Sequence, residues 1–325
     1  MHFPTLDQIV LDTITLYGNI DKLPKIDFSQ FHTPLIVWSG NGYYTGRILF
    51  RNSPAYFAVE SEVEKKLENI PSITDVIVVS ASGEKHAPII LDAAKKHGKK
   101  TFLISSSEKS RGREIADASI IMPKIREPYT YNTSTYFGYM LAETPHLDLV
   151  KLREFITDEL TDALSSWGSI AQDLSREYGS HARVPRDDGS REIDFADFSS
   201  FCIVIPNEFV LLREMLETKF IELFGRKVAR DIFSYEQMKH ATTVIQDEGE
   251  LFICFGNSSW IQYGKNQINL PIFDDSNYAA MMLESYYLVG LIQSALPSYF
   301  MESIEEYTLR AKAQSGFDIK PWVEI

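Results

Sequence analysis

Cysteine is nearly absent from the chain, since only Cys202 and Cys254 occur among 325 residues. Both lie inside apolar runs, "FCIVIP" and "LFICFG", and they lack the spacing of metal ligands. This placement predicts buried, reduced side chains rather than a disulfide or a metal centre. Five of the histidines, His2, His32, His97, His146 and His181, show no metal-ligand spacing either. We therefore expect no metal site.

Long apolar runs and an excess of positive charge are also missing. No stretch is apolar enough to suggest a membrane span, and the most apolar late segment, residues 278–296, contains Glu284 and Gln293, which predicts a buried helix. The first ten residues, "MHFPTLDQIV", lack the order of a secretion signal, so we expect a cytoplasmic protein. A net charge of −13 disfavours nucleic acid and acidic membranes as partners. It leaves open a small anion held by backbone donors.

Short β-rich runs alternate with helical patterns along the chain. Candidate strands lie at residues 34–38, 75–80, 100–105, 118–123, 201–206, 251–256 and 268–273. This alternation predicts an α/β protein with mainly parallel, doubly wound sheets in three α/β/α layers. We expect domains at 1–165 and 199–325, joined by a polar linker or excursion at 166–198. The two halves share a rhythm that suggests similar structures, but little residue identity.

The segment 75–100, "DVIVVSASGEKHAPIILDAAKKHGKK", places small residues where a strand passes into a helix. Apolar residues at 87, 90, 91 and 94 share one helical face, and the helix is predicted to begin between Ser82 and Glu84. Free amides of a first turn, the hydroxyls of Ser80 and Ser82, and the close approach allowed by Gly83 would suit a phosphate. Alternatively, Ser82 only caps the helix and Gly83 only makes the turn.

A second glycine loop, "WSGNGYYTG" at 38–46, follows another predicted strand and repeats this order. It does not match a dinucleotide-binding fingerprint, because the third glycine is Gly46 instead of residue 45 and no acidic residue clearly ends the next strand. A P-loop is excluded, since no Gly-Lys-Ser/Thr follows the spacing. We therefore predict no nucleotide cofactor.

Together these stretches carry a family likeness. "SASGEKHAPIILDAAKKHGKKTFLIS" resembles the phosphate-binding signature of sugar isomerase (SIS) domains, and "SGNGYYTG" resembles their first loop. "EPYTYNTSTYFGYML" is similar to a third loop in the isomerase part of glucosamine-6-phosphate synthase. The resemblance implies two SIS-like subdomains and a phosphorylated sugar as ligand. The residues that it implies for phosphate or sugar binding are Gly40, Asn41, Ser80, Ser82, Gly83, Lys85, Asn132 and Thr133.

The second half is similar to a tandem SIS enzyme. The segment 212–245 resembles the region that holds a catalytic Glu and, about sixteen residues later, a His. The His matches His240, whereas the Glu matches Glu222 or, less closely, Glu217. The tail "KPWVEI" is similar to a tail that closes over the sugar, which implies a role for Lys320. Three positions depart from the family pattern: Lys85 replaces a threonine, Gly42 stands where a serine is common, and Ser134 replaces a lysine.

The resemblance implies an aldose–ketose isomerase acting on a hexose 6-phosphate or an amino-sugar 6-phosphate through an enediol(ate), without cofactor. His240 would open the ring, Glu222 would move the proton and Lys320 would contact the sugar or the enediolate. Alternatives are a deglycase of sugar-phosphate amines and a noncatalytic phosphosugar-binding regulator. The three residues could instead be solvated surface groups. Family analogy also implies a homodimer.

Overall fold

The computed structural model describes the chain except for residues 1–2, 21–22, 39–40, 145, 166–193, 242–248, 258–260, 265, 297–298, 316–320 and 323–325. Its contacts divide the chain into two compact units. The N-terminal unit comprises Ile9–Leu147 and Trp322–Ile325, and the C-terminal unit comprises Asp148–Pro321 and Met1–Gln8. The predicted boundaries at 165 and 198 stay predictions, and most of the predicted linker lies outside the described residues.

The N-terminal unit contains a parallel five-stranded sheet of order β2-β1-β3-β4-β5. Its strands are β1 (Leu35–Trp38), β2 (Tyr56–Val59), β3 (Asp75–Val79), β4 (Lys100–Ser105) and β5 (Ala118–Ile121). Its helices are α1 (Leu6–Gly18), which begins in the other unit, α2 (Asn41–Leu49), α3 (Val63–Asn69), α4 (Ala87–Lys96), α5 (Arg111–Ile115) and α6 (Thr133–Leu141). A short 3-10 turn, Glu60–Glu62, joins β2 to α3.

Helices cover both faces of this sheet because alternate strand residues point to opposite sides. Leu35, Val37 and Val78 belong to a buried cluster with residues of α3 and α4. On the other face, α2 packs so closely that a Cβ added at Gly46 would lie 2.9 Å from the Ile36 side chain and 2.8 Å from that of Trp38. The sheet is therefore the middle layer of an α/β/α unit.

The C-terminal unit contains a parallel four-stranded sheet of order β7-β6-β8-β9. Its strands are β6 (Ser200–Ile205), β7 (Ala229–Ser234), β8 (Glu250–Phe255) and β9 (Gln267–Leu270). Its helices are α7 (Leu149–Glu154), α8 (Thr161–Ser165), α9 (Arg213–Phe224), α10 (Tyr235–Ala241), α11 (Tyr278–Ala295) and α12 (Tyr299–Ser315), with a π-helical segment at Phe155–Leu160 and a 3-10 segment at Asn207–Leu212 before α9. Most of α11 is buried, including Glu284 and Gln293.

The predicted fold class is confirmed: both sheets are parallel, and all seven predicted strands are present. The four strands of the second sheet follow the same relative order as the first four of the first sheet. Cys202 and Cys254 are buried, as predicted. The predicted start of α4 is wrong. The helix begins at Ala87 because the chain bends through 81–86 and Gly83 has φ +67°, a left-handed conformation that interrupts a helix.

Candidate functional site

The candidate site lies in the N-terminal unit at the carboxyl ends of β1 and β3. These strands are neighbours, and the chain leaves β1 toward β2 on one side of it but reaches β3 on the other. Such a reversal leaves a crevice outside the strand ends, which is where open α/β sheets bind ligands. A Cβ added at Gly42 would lie 2.9 Å from the carbonyl oxygen of Val79. Only glycine lets α2 start this close to the end of β3.

Asn41 is the first residue of α2, beside that close approach. Its side chain is buried, and its Oδ1 has no hydrogen-bond partner among the described residues. An unsatisfied buried acceptor costs free energy, so its presence points to a partner supplied from outside the protein. Gly40, the preceding predicted residue, lies outside the described residues.

The loop 80–85 after β3 is held by its own serines. The Gly83 amide donates to Ser80 Oγ at 3.1 Å, and the Glu84 amide donates to Ser82 Oγ at 3.3 Å. Each hydroxyl thus accepts from the loop while its O–H is able to donate elsewhere. Burial lowers the pKa of the half-buried Lys85. The loop 80–85 thus carries two hydroxyls and one amine directly after β3.

The loop 80–85 is supported by a serine-rich segment, residues 105–112, which runs from the last residue of β4 into the start of α5. The Ser105 hydroxyl and the Ser106 amide donate to the Ala81 carbonyl at 3.2 and 3.1 Å, and the Gly112 amide donates to the Gly83 carbonyl at 2.9 Å. A Cβ added at Gly112 would lie 2.6 Å from that Gly83 oxygen. The sequence analysis missed this support, although the serines of "SSSEKSRG" directly after a predicted strand could have indicated it.

His86, the residue before α4, contacts the Glu60 carboxylate through Nδ1, and Glu60 lies in the 3-10 turn after β2. The contact joins the start of α4 to the start of the helical segment that precedes α3. It therefore ties the end of the loop 80–85 to the neighbouring crossover.

The third predicted loop leads into α6 and is organised by Glu127. This carboxylate is fully buried and accepts from the Thr133 amide at 2.7 Å, the Ser134 amide at 3.1 Å and the Ser134 hydroxyl at 2.6 Å. Asn132 has φ 47° and donates through Nδ2 to the Tyr129 carbonyl at 2.6 Å. Thr133 is buried, and its Oγ1 has no partner among the described residues.

Helix α6 also contacts the elements that carry the other loops. It packs against α2, which begins at Asn41. The Ser106 hydroxyl, next to the Ala81 contact, donates to Tyr139 Oη on α6 at 3.3 Å. The unit thus brings the three predicted loops to one edge of its sheet. Seven of the eight predicted binding residues lie in these three loops or at the start of the helix that follows them. The eighth, Gly40, lies outside the described residues.

Trp322 contacts the third loop through its backbone and its indole ring. It forms an antiparallel bridge with Pro128, and the Arg126 guanidinium carbon lies 4.6 Å from the centre of its indole ring. Glu127 lies between Arg126 and Pro128 in the chain, and its carboxylate accepts from the first residue of α6. The short C-terminal segment is therefore part of this unit, whereas Lys320 lies outside the described residues.

The predicted catalytic Glu222 lies near the end of α9 in the C-terminal unit. Its Oε2 is 2.7 Å from Lys219 Nζ, and the Lys219 side chain is only 1% exposed. That ammonium also lies 5.6 Å from the ring centre of Tyr286. The sequence analysis missed Lys219 because a lysine three residues before a glutamate is usual on a solvated helix. Glu217, the alternative base, is half-buried on the same helix.

His240 lies at the end of α10 and is exposed. On the same helix Lys239 pairs with Glu236 at 2.8 Å, and this hydrogen bond lowers the pKa of Glu236 with a smaller contribution from His240. Within the described residues no three potential ligands among His, Cys, Asp and Glu form a metal-binding group.

Neither family models nor curated proteins match the sequence. Solved structures match closely in fold. Glucosamine-6-phosphate deaminase from Thermotoga maritima aligns over 93% of this chain and 94% of its own, with TM-score 0.57 and 15% identity. Tagatose-6-phosphate ketose/aldose isomerase from Escherichia coli aligns over 89% of this chain and 86% of its own, with TM-score 0.52 and 13% identity.

The C-terminal domain of glucosamine-fructose-6-phosphate aminotransferase from Francisella tularensis aligns over 89% of this chain and 94% of its own, with TM-score 0.50 and 14% identity. The chain has the sugar-isomerase fold. The likeness extends over both units, as the resemblance of the loops predicted. Among the described residues no helix of this sugar-isomerase fold is long and apolar enough to cross a membrane.

Proposed function

We propose that the chain binds a hexose 6-phosphate or an amino-sugar 6-phosphate at the carboxyl edge of the N-terminal sheet and isomerises it between aldose and ketose. The observation that carries the proposal is the meeting of three loops at a strand-order reversal. Two buried side-chain oxygens there, Asn41 Oδ1 and Thr133 Oγ1, have no partner among the described residues. The fold relatives named above support the ligand class, since each of their names contains a six-carbon sugar 6-phosphate.

The phosphate is assigned to the loop 80–85. Ser80 and Ser82 would donate their O–H groups, Lys85 would supply charge and Gly83 would allow close approach. Asn41, Thr133, Asn132 and the loop at Gly40 would contact the sugar. Binding energy from the phosphate would then hold the reacting carbons in place.

The reaction moves one proton between C1 and C2 through an enediol(ate). Glu222 would carry this proton, His240 would assist ring opening and Lys320 would stabilise the enediolate oxygen. Lys219 is added to this set as a positioning residue, because its buried ammonium holds one oxygen of Glu222. The family resemblance of the loops implies a homodimer, and the sequence favours the cytoplasm; we propose both for this enzyme.

Hydrogen exchange tests the reaction. The protein is incubated with fructose 6-phosphate, and separately with glucosamine 6-phosphate, in deuterated water while the C1 and C2 positions are followed by NMR. We expect exchange that is lost in Glu222→Gln and kept in Glu214→Gln, a control on the same helix. Binding without exchange would instead favour the noncatalytic regulator, and release of an amine from a sugar-phosphate adduct would favour the deglycase.

A further inference from the structure

The contact between Glu60 and His86 spans the end of β1. Glu60 directly follows β2, and His86 ends the segment that follows β3. Strands β2 and β3 are the two neighbours of β1, and all three are parallel, so their carboxyl ends lie at one edge of the sheet. The contact therefore joins the segments on either side of β1 and borders the crevice at the ends of β1 and β3.

The imidazole of His86 has one nitrogen engaged and one available. Its Nδ1 contacts the Glu60 carboxylate, whereas its Nε2 makes no hydrogen bond to any described residue. The side chains of His86 and Glu60 are 44% and 33% exposed, so a ligand can reach the pair from solvent. A carboxylate on one ring nitrogen orients the ring and leaves the other nitrogen for a second partner.

The neighbouring groups indicate which partner suits Nε2. His86 directly follows the loop 80–85, whose serine hydroxyls and Lys85 amine favour an anion. An imidazole with a carboxylate at Nδ1 and an anion at Nε2 is stabilised in its protonated form, because it then donates from both nitrogens. Phosphate oxygens accept such charge-assisted hydrogen bonds strongly. A phosphate in the loop 80–85 is thus the partner that matches the chemistry of this pair.

We infer that His86 is a further phosphate-binding residue and that Glu60 is its positioning residue: Nε2 donates to the phosphoryl group in the loop 80–85, while the carboxylate holds the ring through Nδ1. This inference rests on the proposed function, because it takes that loop as the place of the phosphate. It adds a cationic group from the end of the loop and a carboxylate from the segment after β2. The resemblance of the loops assigns neither residue.

Nitrogen NMR of the histidine side chains tests the contact directly. Inorganic phosphate and the acyclic glucitol 6-phosphate are added separately at neutral pH. We expect both to move the Nε2 resonance of His86 toward that of a protonated nitrogen and to leave His97 unchanged. His97 is the matched control, because it follows α4 at its other end and contacts Glu64 through Nε2 at 2.7 Å.

The possible results separate this inference from the proposed function. If neither ligand binds, both fail. If both ligands bind and the Nε2 resonance of His86 stays in place, only the inference on His86 is overturned. A response to glucitol 6-phosphate but not to inorganic phosphate would place a sugar hydroxyl on Nε2 and would also overturn it.

Calorimetric titration of variants measures what the contact contributes. His86→Phe keeps a ring but no nitrogen and should weaken both ligands at least about tenfold, whereas His97→Phe should change neither. Glu60→Leu should weaken them about threefold, and Glu60→Gln should restore the affinity because its amide oxygen still accepts from Nδ1. Unchanged affinity in His86→Phe, or an equal loss in His97→Phe, would overturn the inference.

Discussion

Lys219 Nζ lies 2.7 Å from Glu222 Oε2, and the lysine side chain is 1% exposed whereas that of the glutamate is 31% exposed. A buried ammonium that contacts a partly exposed carboxylate fixes the orientation of that carboxylate, and removing it leaves the carboxylate free to rotate. The pair therefore fits a carboxylate that must be held in one position while it moves a proton.

Replacing Lys219 tests this relationship. In Lys219→Met, kcat for exchange with fructose 6-phosphate should fall about 100-fold while KM changes little, because misplacing a reacting group affects the chemical step more than binding. Lys239→Met is the matched control, since its pair with Glu236 has the same spacing but 61% exposed side chains. Equal kcat in both variants would show that Lys219 only stabilises the fold.

Gly83 should tolerate no side chain. It has φ +67°, and an added Cβ would lie 2.5 Å from Ser110 Oγ. Gly83→Ala should lower the free energy of unfolding by about 2 kcal/mol and abolish binding of inorganic phosphate. Gly98→Ala is the control, because it has φ +68° with no atom within 4 Å of the added Cβ. It should cost only the backbone strain of about 1 kcal/mol and keep phosphate binding.

Glu284 predicts a dependence of stability on pH in the C-terminal unit. Burial raises its pKa to about 8 despite hydrogen bonds from the Phe273 backbone and Ser276. Because the unfolded chain releases this proton near the ordinary glutamate pKa of 4.5, the folded state binds more protons between these values and loses stability as pH rises toward about 8. Urea unfolding at pH 5 and pH 8.5 measures the loss.

Glu284→Gln should remove this slope, since glutamine does not titrate. When pH rises from 5 to 8.5, the free energy of unfolding of the variant should therefore rise by about a few kcal/mol relative to that of the unmodified chain. A parallel pH dependence in both proteins would show that another group is responsible.

The Trp322 contact should support the third loop from outside. Trp322→Leu removes the ring beside Arg126 and should weaken glucitol 6-phosphate binding about threefold, in keeping with one cation–π contact at a partly exposed position. Arg126→Lys should show a smaller effect in the same direction, because lysine keeps the charge but loses the planar group. Unchanged binding in Trp322→Leu would show that the C-terminal segment does not act on the site.

The sequence revealed the central strands but not two at the sheet edges. Apart from Ser200, the residues of β1 and β6 are apolar and buried, and this burial on both faces produces the continuous apolar runs that predict a strand. By contrast β2 and β7, "YFAV" and "ARDIFS", are edge strands in which most positions are exposed or half-buried, so no such run appears. Their place depends on pairing with a distant strand.

The candidate site was predictable only where a short stretch of chain determines it. The loop 80–85 follows from local turn chemistry, although the left-handed Gly83 moved the start of α4 beyond the predicted position. The roles of Glu127 and Lys219 were missed because they depend on burial. Neither residue type is usually buried, and only the folded structure shows that both are.

The most direct test of the account is a crystal structure with glucitol 6-phosphate. The phosphate should lie within hydrogen-bond distance of the Ser80 and Ser82 hydroxyls, and the polyol should donate to Asn41 Oδ1 and contact Thr133 Oγ1. A phosphate bound away from the loop 80–85, or a polyol that leaves both oxygens without a partner, would contradict the assignment of this sheet edge as a phosphosugar site.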